Sequence, residues 1–217
     1  MDARAVIRGV YPIIDAGWIA RSGFDADPRE VAAQMAALGV SVTQLRGKGD
    51  GGDFHRFAQP WMAALRAAAP GIRVIVNDRV DIALALQADG VHVGQSDLPV
   101  AVARQLMGPG KLVGTSTHTP EEIAAAQADG VDSAGFGPIY APGAKDDPYP
   151  VNQGLHKLRD AVTLAGDLPL TAIGGITLQT LPDIAATGVA SAAMISDLWR
   201  DDWAGRLAQA TRLWAQA

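Results

Sequence analysis

The chain has 217 residues, 48% of them hydrophobic, with a formal net charge of −5 and no cysteine. That length and apolar content can bury one large core, so a single domain over 1–217 is expected. The missing cysteines exclude disulfides, thiolate metal sites and cysteine nucleophiles, and the acidic balance gives no support for nucleic-acid binding.

Along the chain, short β-branched runs alternate with alanine-rich amphipathic segments. The opening MDARAVIRGVYP lacks the apolar run of a signal peptide, and no stretch is long enough to span a membrane. A cytoplasmic protein is therefore expected. Strands are predicted at Val10–Ile14, Val42–Leu45, Arg73–Val76, Gly90–Val93, Leu112–Gly114, Ser133–Phe136, Leu170–Ile173 and Ala192–Ile195. Helices are predicted to start near Pro28, Asp53, Val80, Asp97, Pro120, Gly154, Leu178 and Asp201. Eight strand–helix pairs in 217 residues, about 27 residues each, are the spacing of an α/β single-domain (β/α)8 TIM barrel. A doubly wound open sheet competes, but rarely uses eight such even units. Gly17 to Asp27 fits no unit and reads as a lid or an inserted loop. Gln87-Ala88-Asp89-Gly90-Val91 recurs as Gln127-Ala128-Asp129-Gly130-Val131, and both glycines are placed at helix C-caps.

In such a barrel the segments that follow the strands share one rim, where ligands bind. After the second strand, Gln44, Arg46 and Lys48 fall on one side by strand alternation, and two cations there suit a polyanion. Asp78 and Asp97 follow the third and fourth strands. Two carboxylates facing a cavity suit a hard cation such as magnesium. The plainer reading is that each acid caps the helix after it. After the fifth strand, Thr119, Pro120 and Glu122 form a capping box, which leaves Ser116 to donate to a ligand. A long loop after the sixth strand carries Lys145, one of four lysines in the chain. Gly174-Gly175 and Ile195-Ser196 then turn from the last two strands, where backbone amides commonly hold phosphate. His92 is placed in or near the barrel interior, and His55, His118 and His156 share no metal-ligand spacing.

Taken in order, these motifs resemble the thiamine phosphate synthase family. The resemblance runs from about Val10 to Ile195, on Gln44-x-Arg46-x-Lys48, Asn77-Asp78-Arg79-Val80-Asp81, Gly90-Val91-His92-Val93-Gly94-Gln95-x-Asp97, Gly114-x-Ser116-Thr117-His118-Thr119, Gly135-Phe136-Gly137-Pro138, Lys145, Ile173-Gly174-Gly175-Ile176 and Ile195-Ser196. It implies a (β/α)8 barrel that joins a pyrimidine methyl diphosphate to a thiazole phosphate and releases pyrophosphate. Asp78 and Asp97 would then hold Mg2+. Gln44, Arg46, Lys48, Asn77 and Lys145 would hold the diphosphate, with Ser116 near the pyrimidine. Gly175, Ile195 and Ser196 would bind the thiazole phosphate through the backbone.

One departure stands out. The family pattern before the lysine is Thr-x-Thr-Lys, and this chain has Pro142 and Ala144 at the threonine positions. The resemblance then implies that two hydrogen bonds to the thiazole phosphate would be missing, each worth about 1.5–3 kcal/mol, which leaves weaker binding of that phosphate, compensation by other groups or a different acceptor. A related thiazole tautomerase would have a histidine directly after the glycine, where this chain reads Gly137-Pro138, and usually lacks an acid at position 97. A phospholigand-binding regulator without turnover is the other rival, which the retained Asp78, Asp97 and Lys145 oppose. Trp199, Trp203 and Trp214, read as one face of the last helix with Leu207 and Leu213, are expected to pack on the barrel, with a homo-oligomer contact as the minor alternative.

Overall fold

A computed structural model describes residues 3–140 and 152–217. Eight parallel strands close a barrel in chain order, the last pairing with the first. They are β1 (Gly9–Asp15), β2 (Val42–Arg46), β3 (Arg73–Asn77), β4 (Gly90–Val93), β5 (Leu112–Thr117), β6 (Ser133–Phe136), β7 (Leu170–Ala172) and β8 (Ser191–Met194). Around them run α1 (Ala3–Val6), α2 (Ala16–Ser22), α3 (Pro28–Ala37), α4 (Gly51–Ala68), α5 (Val80–Ala85), α6 (Val100–Met107), α7 (Pro120–Ala128), α8 (Gly154–Ala165), α9 (Leu181–Ala185) and α10 (Trp203–Gln216). The expected TIM barrel is the fold. No helix among the described residues is long and apolar enough to cross a membrane.

Two-residue alternation along each strand divides the core. Val10, Ile14, Leu45, Val74, Val76, Val91 and Val93 belong to the large cluster between sheet and helices. Tyr11, Ile13, Val42, Ile75, Leu112 and Ala193 form a smaller cluster with Ile7 inside the barrel. The same alternation turns Gln44 and Arg46 inward with Val42, and Asn77 inward with Ile75. The interior therefore changes from apolar to polar toward the C-terminal ends of the strands.

Several boundaries differ from expectation for local reasons. α4 begins at Gly51 because Asp50, not Asp53, caps it, accepting from the Gly52 and Asp53 N–H groups at 2.7 and 3.3 Å. α6 begins after Pro99, α9 at Leu181 and α10 at Trp203. Gly17 to Asp27 is not a plain inserted loop. Its first part is α2, capped by Asp15, and its last residue caps α3. Trp199 precedes the last helix and is fully buried, donating from Nε1 to the Ile13 carbonyl at 2.6 Å. Trp203 and Trp214 pack half-buried against the core. Among the described residues the large exposed apolar side chains are instead Leu84 of α5, Leu98 just before α6, Val102 and Leu106 on α6, and Leu164 of α8.

The repeated pentapeptide does not repeat in structure. Gly130 follows the α7 cap with φ +64°, as a C-cap glycine should. Gly90 lies within β4, where an added Cβ would sit 2.4 Å from the Leu112 carbonyl oxygen, so close strand approach demands it. The acids diverge too. Asp89 accepts from the Val74 N–H at 2.8 Å and pairs with Arg66 and Arg73, whereas Asp129 is exposed. Asp89→Ala is expected to cost about 2–3 kcal/mol, because a strand N–H and two guanidinium groups lose their acceptor. Asp129→Ala should stay within about 0.5 kcal/mol of the parent. Denaturant unfolding of the two variants side by side checks this, and equal losses would contradict it.

Candidate active site

The described candidates gather at the C-terminal ends of the strands. Arg46 ends β2 and Asn77 ends β3, Lys48 and Asp78 follow them, and Ser116 lies on β5. Asp97 lies in the β4–α6 connection, Gly175 just past β7, and Ile195 and Ser196 just past β8. Lys145, with Pro142 and Ala144, lies outside the described residues.

Asp78 and Asp97 form the centre of the arrangement. Asp78 has φ +62°, a left-handed conformation uncommon for a side-chain-bearing residue and concentrated at functional positions. Its N–H donates to the His92 carbonyl at 2.7 Å, which fixes the bend past β3. Neither acid caps a helix. The cap of α5 is Arg79 and that of α6 is Pro99, each without a side-chain cap bond. Asp97 instead accepts from the Gly94 N–H at 2.8 Å, closing its own turn. Burial, then the Asp78 carboxyl beside it, holds the Asp97 carboxyl above the usual range. Lys48 offsets part of this, its Nζ lying 2.6 Å from Asp78 Oδ2.

The rest of the rim is held by specific partners. Arg46 donates to Asp15, a buried acid at the end of β1. Gln44 is buried and bonded to Tyr11, whose hydroxyl burial pushes well above its ordinary value. Ser116 is not left for a ligand alone: its Oγ lies 3.0 Å from His92 Nε2, and its carbonyl accepts from Gln95 Nε2 at 2.5 Å. His92 is in the barrel interior as expected. His118 takes part in the capping region, its N–H and Nδ1 lying 2.6 and 2.9 Å from Glu122 Oε2. Thr119 caps α7 by accepting from the Glu122 N–H at 3.2 Å, so half of the capping box forms and the Glu122 carboxylate turns to His118. Among the described residues no three metal-ligating side chains group together, histidines included.

After β7, Gly174 and Gly175 take φ +103° and +62°, and a Cβ on Gly174 would strike Pro138 at 2.6 Å. The turn after β8 is closed by the Ile195 carbonyl, which accepts from the Leu198 and Trp199 N–H groups at 3.1 and 3.3 Å. Asp197 ties the two turns together, accepting from the Leu178 N–H at 2.8 Å and pairing with Arg206 at 2.6 Å. A groove of about 650 Å³ between α7 and α8, lined by Ile123, Lys157 and Leu164 among others, includes none of the rim candidates.

Sequence reasoning missed Asp15 and Tyr11, and named Gln95 within a motif without giving it a role. Asp15 carried a usable signal, since an acid directly after an apolar strand run is the same pattern that singled out Asp78. Tyr11 carried none, and the role of Gln95 stayed hidden because its partner, the Ser116 carbonyl, is distant in sequence.

In chelator-treated protein near neutral pH, Asp97→Asn keeps an acceptor for Gly94 and removes the like charge from Asp78. It is expected to unfold at the parent's temperature or higher. Asp97→Ala loses the acceptor and should fall by about 1 kcal/mol. A lower midpoint for the asparagine than for the alanine would contradict this assignment of the two roles.

The family model and the sequence relatives agree on one family. A model of the family described as thiamine monophosphate synthase matches residues 10–198. The chain is 42% identical over 177 residues to a thiamine-phosphate synthase of Chlorobium luteolum, covering 79% of this chain and 80% of that one. It is 41% identical over 169 residues to that of Vibrio parahaemolyticus, covering 77% and 81%. A solved thiamine phosphate pyrophosphorylase from Pyrococcus furiosus superposes with a TM-score of 0.80 at 25% identity over 97% of each chain.

Proposed function

Since the chain belongs to the thiamine monophosphate synthase family, we propose that its rim performs the transferase reaction of that name, joining a pyrimidine methyl diphosphate to a thiazole phosphate with release of pyrophosphate. The observation that carries the reading is the facing pair Asp78 and Asp97, flanked by Lys48 and by Arg46 at the end of the neighbouring strand. Their donor atoms are all hard carboxylate oxygens, and the like charges crowd each other. Such a pair suits magnesium, which binds through one or two carboxylates and takes its remaining ligands from water and substrate phosphate. Asp78 and Asp97 would hold that ion, and bound there it would supply charge neutralisation on the leaving diphosphate.

Arg46 and Lys48 would grip diphosphate oxygens through charge-assisted bonds, with Gln44 and Asn77 beside them and Lys145 as a further cation. Ser116, oriented by His92, would meet the pyrimidine. The backbone at Gly175, Ile195 and Ser196 would receive the acceptor phosphate. In the reaction the carbon–oxygen bond to the diphosphate breaks, and its electron pair leaves with pyrophosphate. The thiazole nitrogen contributes its lone pair to the new carbon–nitrogen bond. No proton must be removed by the protein, so its work is to hold two substrates in line in a preorganised electrostatic site, an effect that can reach about 7–11 kcal/mol. The tautomerase alternative has Pro138 where it needs a histidine.

The test is pyrophosphate release from the pyrimidine methyl diphosphate with magnesium and the thiazole phosphate, run beside Asp97→Ala. Thiamine phosphate should form with the parent, and the variant should lose about 100-fold or more in kcat/KM. Magnesium-dependent binding of the diphosphate without thiazole-dependent release would overturn the proposed acceptor. No binding of the diphosphate at all would overturn the reading of the rim.

A further inference from the structure

We propose that Asp15, which none of the motifs includes, is the positioning residue for Arg46 and thereby fixes the geometry of diphosphate binding. This rests on the reading of Arg46 as a diphosphate ligand. Asp15 ends β1 and Arg46 ends β2, and the two are register partners across the ladder. Their side chains are 6% and 13% exposed. Each carboxylate oxygen of Asp15 has its own task. Oδ1 accepts from the Trp18 N–H at 2.7 Å and caps α2, while Oδ2 accepts from Arg46 Nη1. A cap alone needs one oxygen and no burial. The second oxygen and the burial are what a guanidinium anchor requires, because a carboxylate taken from water must be paired.

The anchor itself is held. Trp18 Nε1 reaches the Trp199 carbonyl at 3.4 Å, Trp199 Nε1 donates to Ile13 two residues before Asp15, and the Phe24 ring lies 5.6 Å from that of Trp199. With one of its five N–H donors fixed, the Arg46 guanidinium keeps the others in a set plane for phosphate oxygens. The Asp15–Arg46 pair is neutral as a whole. Arg46 then contributes less as net charge than as a preplaced fork. Two views of Asp15 therefore predict opposite signs. If charge alone mattered, neutralising Asp15 would strengthen anion binding, whereas loss of a positioning group weakens it.

Asp15→Asn separates the tasks, since asparagine caps a helix as well as aspartate does but offers Arg46 an amide in place of the charged acceptor. The probes are inorganic pyrophosphate with magnesium by titration calorimetry, steady-state kinetics with the pyrimidine methyl diphosphate, and thermal unfolding. The variant should still unfold in one cooperative transition above the assay temperature, with a midpoint below the parent's because the buried Arg46 guanidinium loses its counter-charge. It should bind pyrophosphate about 10-fold or more weakly, as when the outer partner of a binding side chain is removed. KM for the diphosphate should rise, with KM for the acceptor unchanged. In an Arg46→Ala background the same substitution should change pyrophosphate binding by less than about twofold. Parent-like or tighter binding by Asp15→Asn, or an undiminished loss in the Arg46→Ala background, overturns the proposal. A parent that binds no pyrophosphate overturns the reading of Arg46 and this inference with it. A parent that binds pyrophosphate but makes no thiamine phosphate overturns only the acceptor, and the binding comparison still decides Asp15.

Discussion

One interaction recurs around the barrel: an aspartate whose carboxylate is shared between a backbone N–H and an arginine. Asp89 takes the Val74 N–H with Arg66 and Arg73, and Asp132 takes the Val113 N–H at 2.7 Å with Arg104 at 2.6 Å. Asp15 takes the Trp18 N–H with Arg46, and Asp197 takes the Leu178 N–H with Arg206. Short parallel strands leave end amides without ladder partners, and an unpaired amide out of water is costly. A carboxylate satisfies the amide, and the guanidinium in turn neutralises the carboxylate. Asp89 and Asp132 precede β4 and β6 at the end away from the rim, where they tie strand starts to helices. Asp15 and Asp197 do the same at the rim, directly behind the groups proposed to bind substrate.

The barrel interior sets the second constraint. Its lower part is filled by Ile7, Tyr11, Ile13, Val42, Ile75, Leu112 and Ala193, which leaves the polar groups of the described interior at the other end. Here the strands are close enough that a histidine ring inside requires its neighbours to shrink. A Cβ on Gly114 would lie 2.9 Å from His92 Nδ1, and one on Gly135 would lie 3.4 Å from Cε1. Those two glycines, on β5 and β6, make room for His92, and His92 in turn holds Ser116. The chain thus spends two side-chain positions to fix a third.

Regular alternation made the barrel legible in the sequence, because eight evenly spaced strand–helix units leave few other closed arrangements. The inward set Gln44 and Arg46 followed from the same two-residue period. What stayed hidden depended on contacts between distant residues. Asp78 and Asp97 were compatible with helix caps until φ +62° at Asp78 and the Gly94 turn at Asp97 showed otherwise. The pentapeptide repeat suggested two equal C-caps, yet Gly90 answers to the Leu112 carbonyl on the next strand and Gly130 to its own helix. Trp199 looked like part of an amphipathic helix because the periodicity of Trp203 and Leu207 extends back through it, although the helix begins only at Trp203.

The same reasoning bears on the acceptor side of the rim. An acid next to a turn proposed to receive phosphate is unfavourable if its charge faces the ligand. Asp197 directly follows Ser196, but its carboxylate is 9% exposed, turned to the Leu178 N–H and compensated by Arg206. It therefore joins the turn after β8 to the segment after β7 without presenting a negative charge to either. With Pro142 and Ala144 offering no hydroxyls, recognition on the proposed acceptor side would fall to backbone amides, whose directions are set by how rigidly the two turns are joined. Asp197 on the acceptor side and Asp15 on the diphosphate side are thus equivalent in kind. Each is a buried acid that uses an arginine and a main-chain N–H to hold a neighbouring element still, and they differ in one respect: Arg46 is itself a proposed diphosphate ligand, whereas Arg206 belongs to α10 and braces the turn from behind.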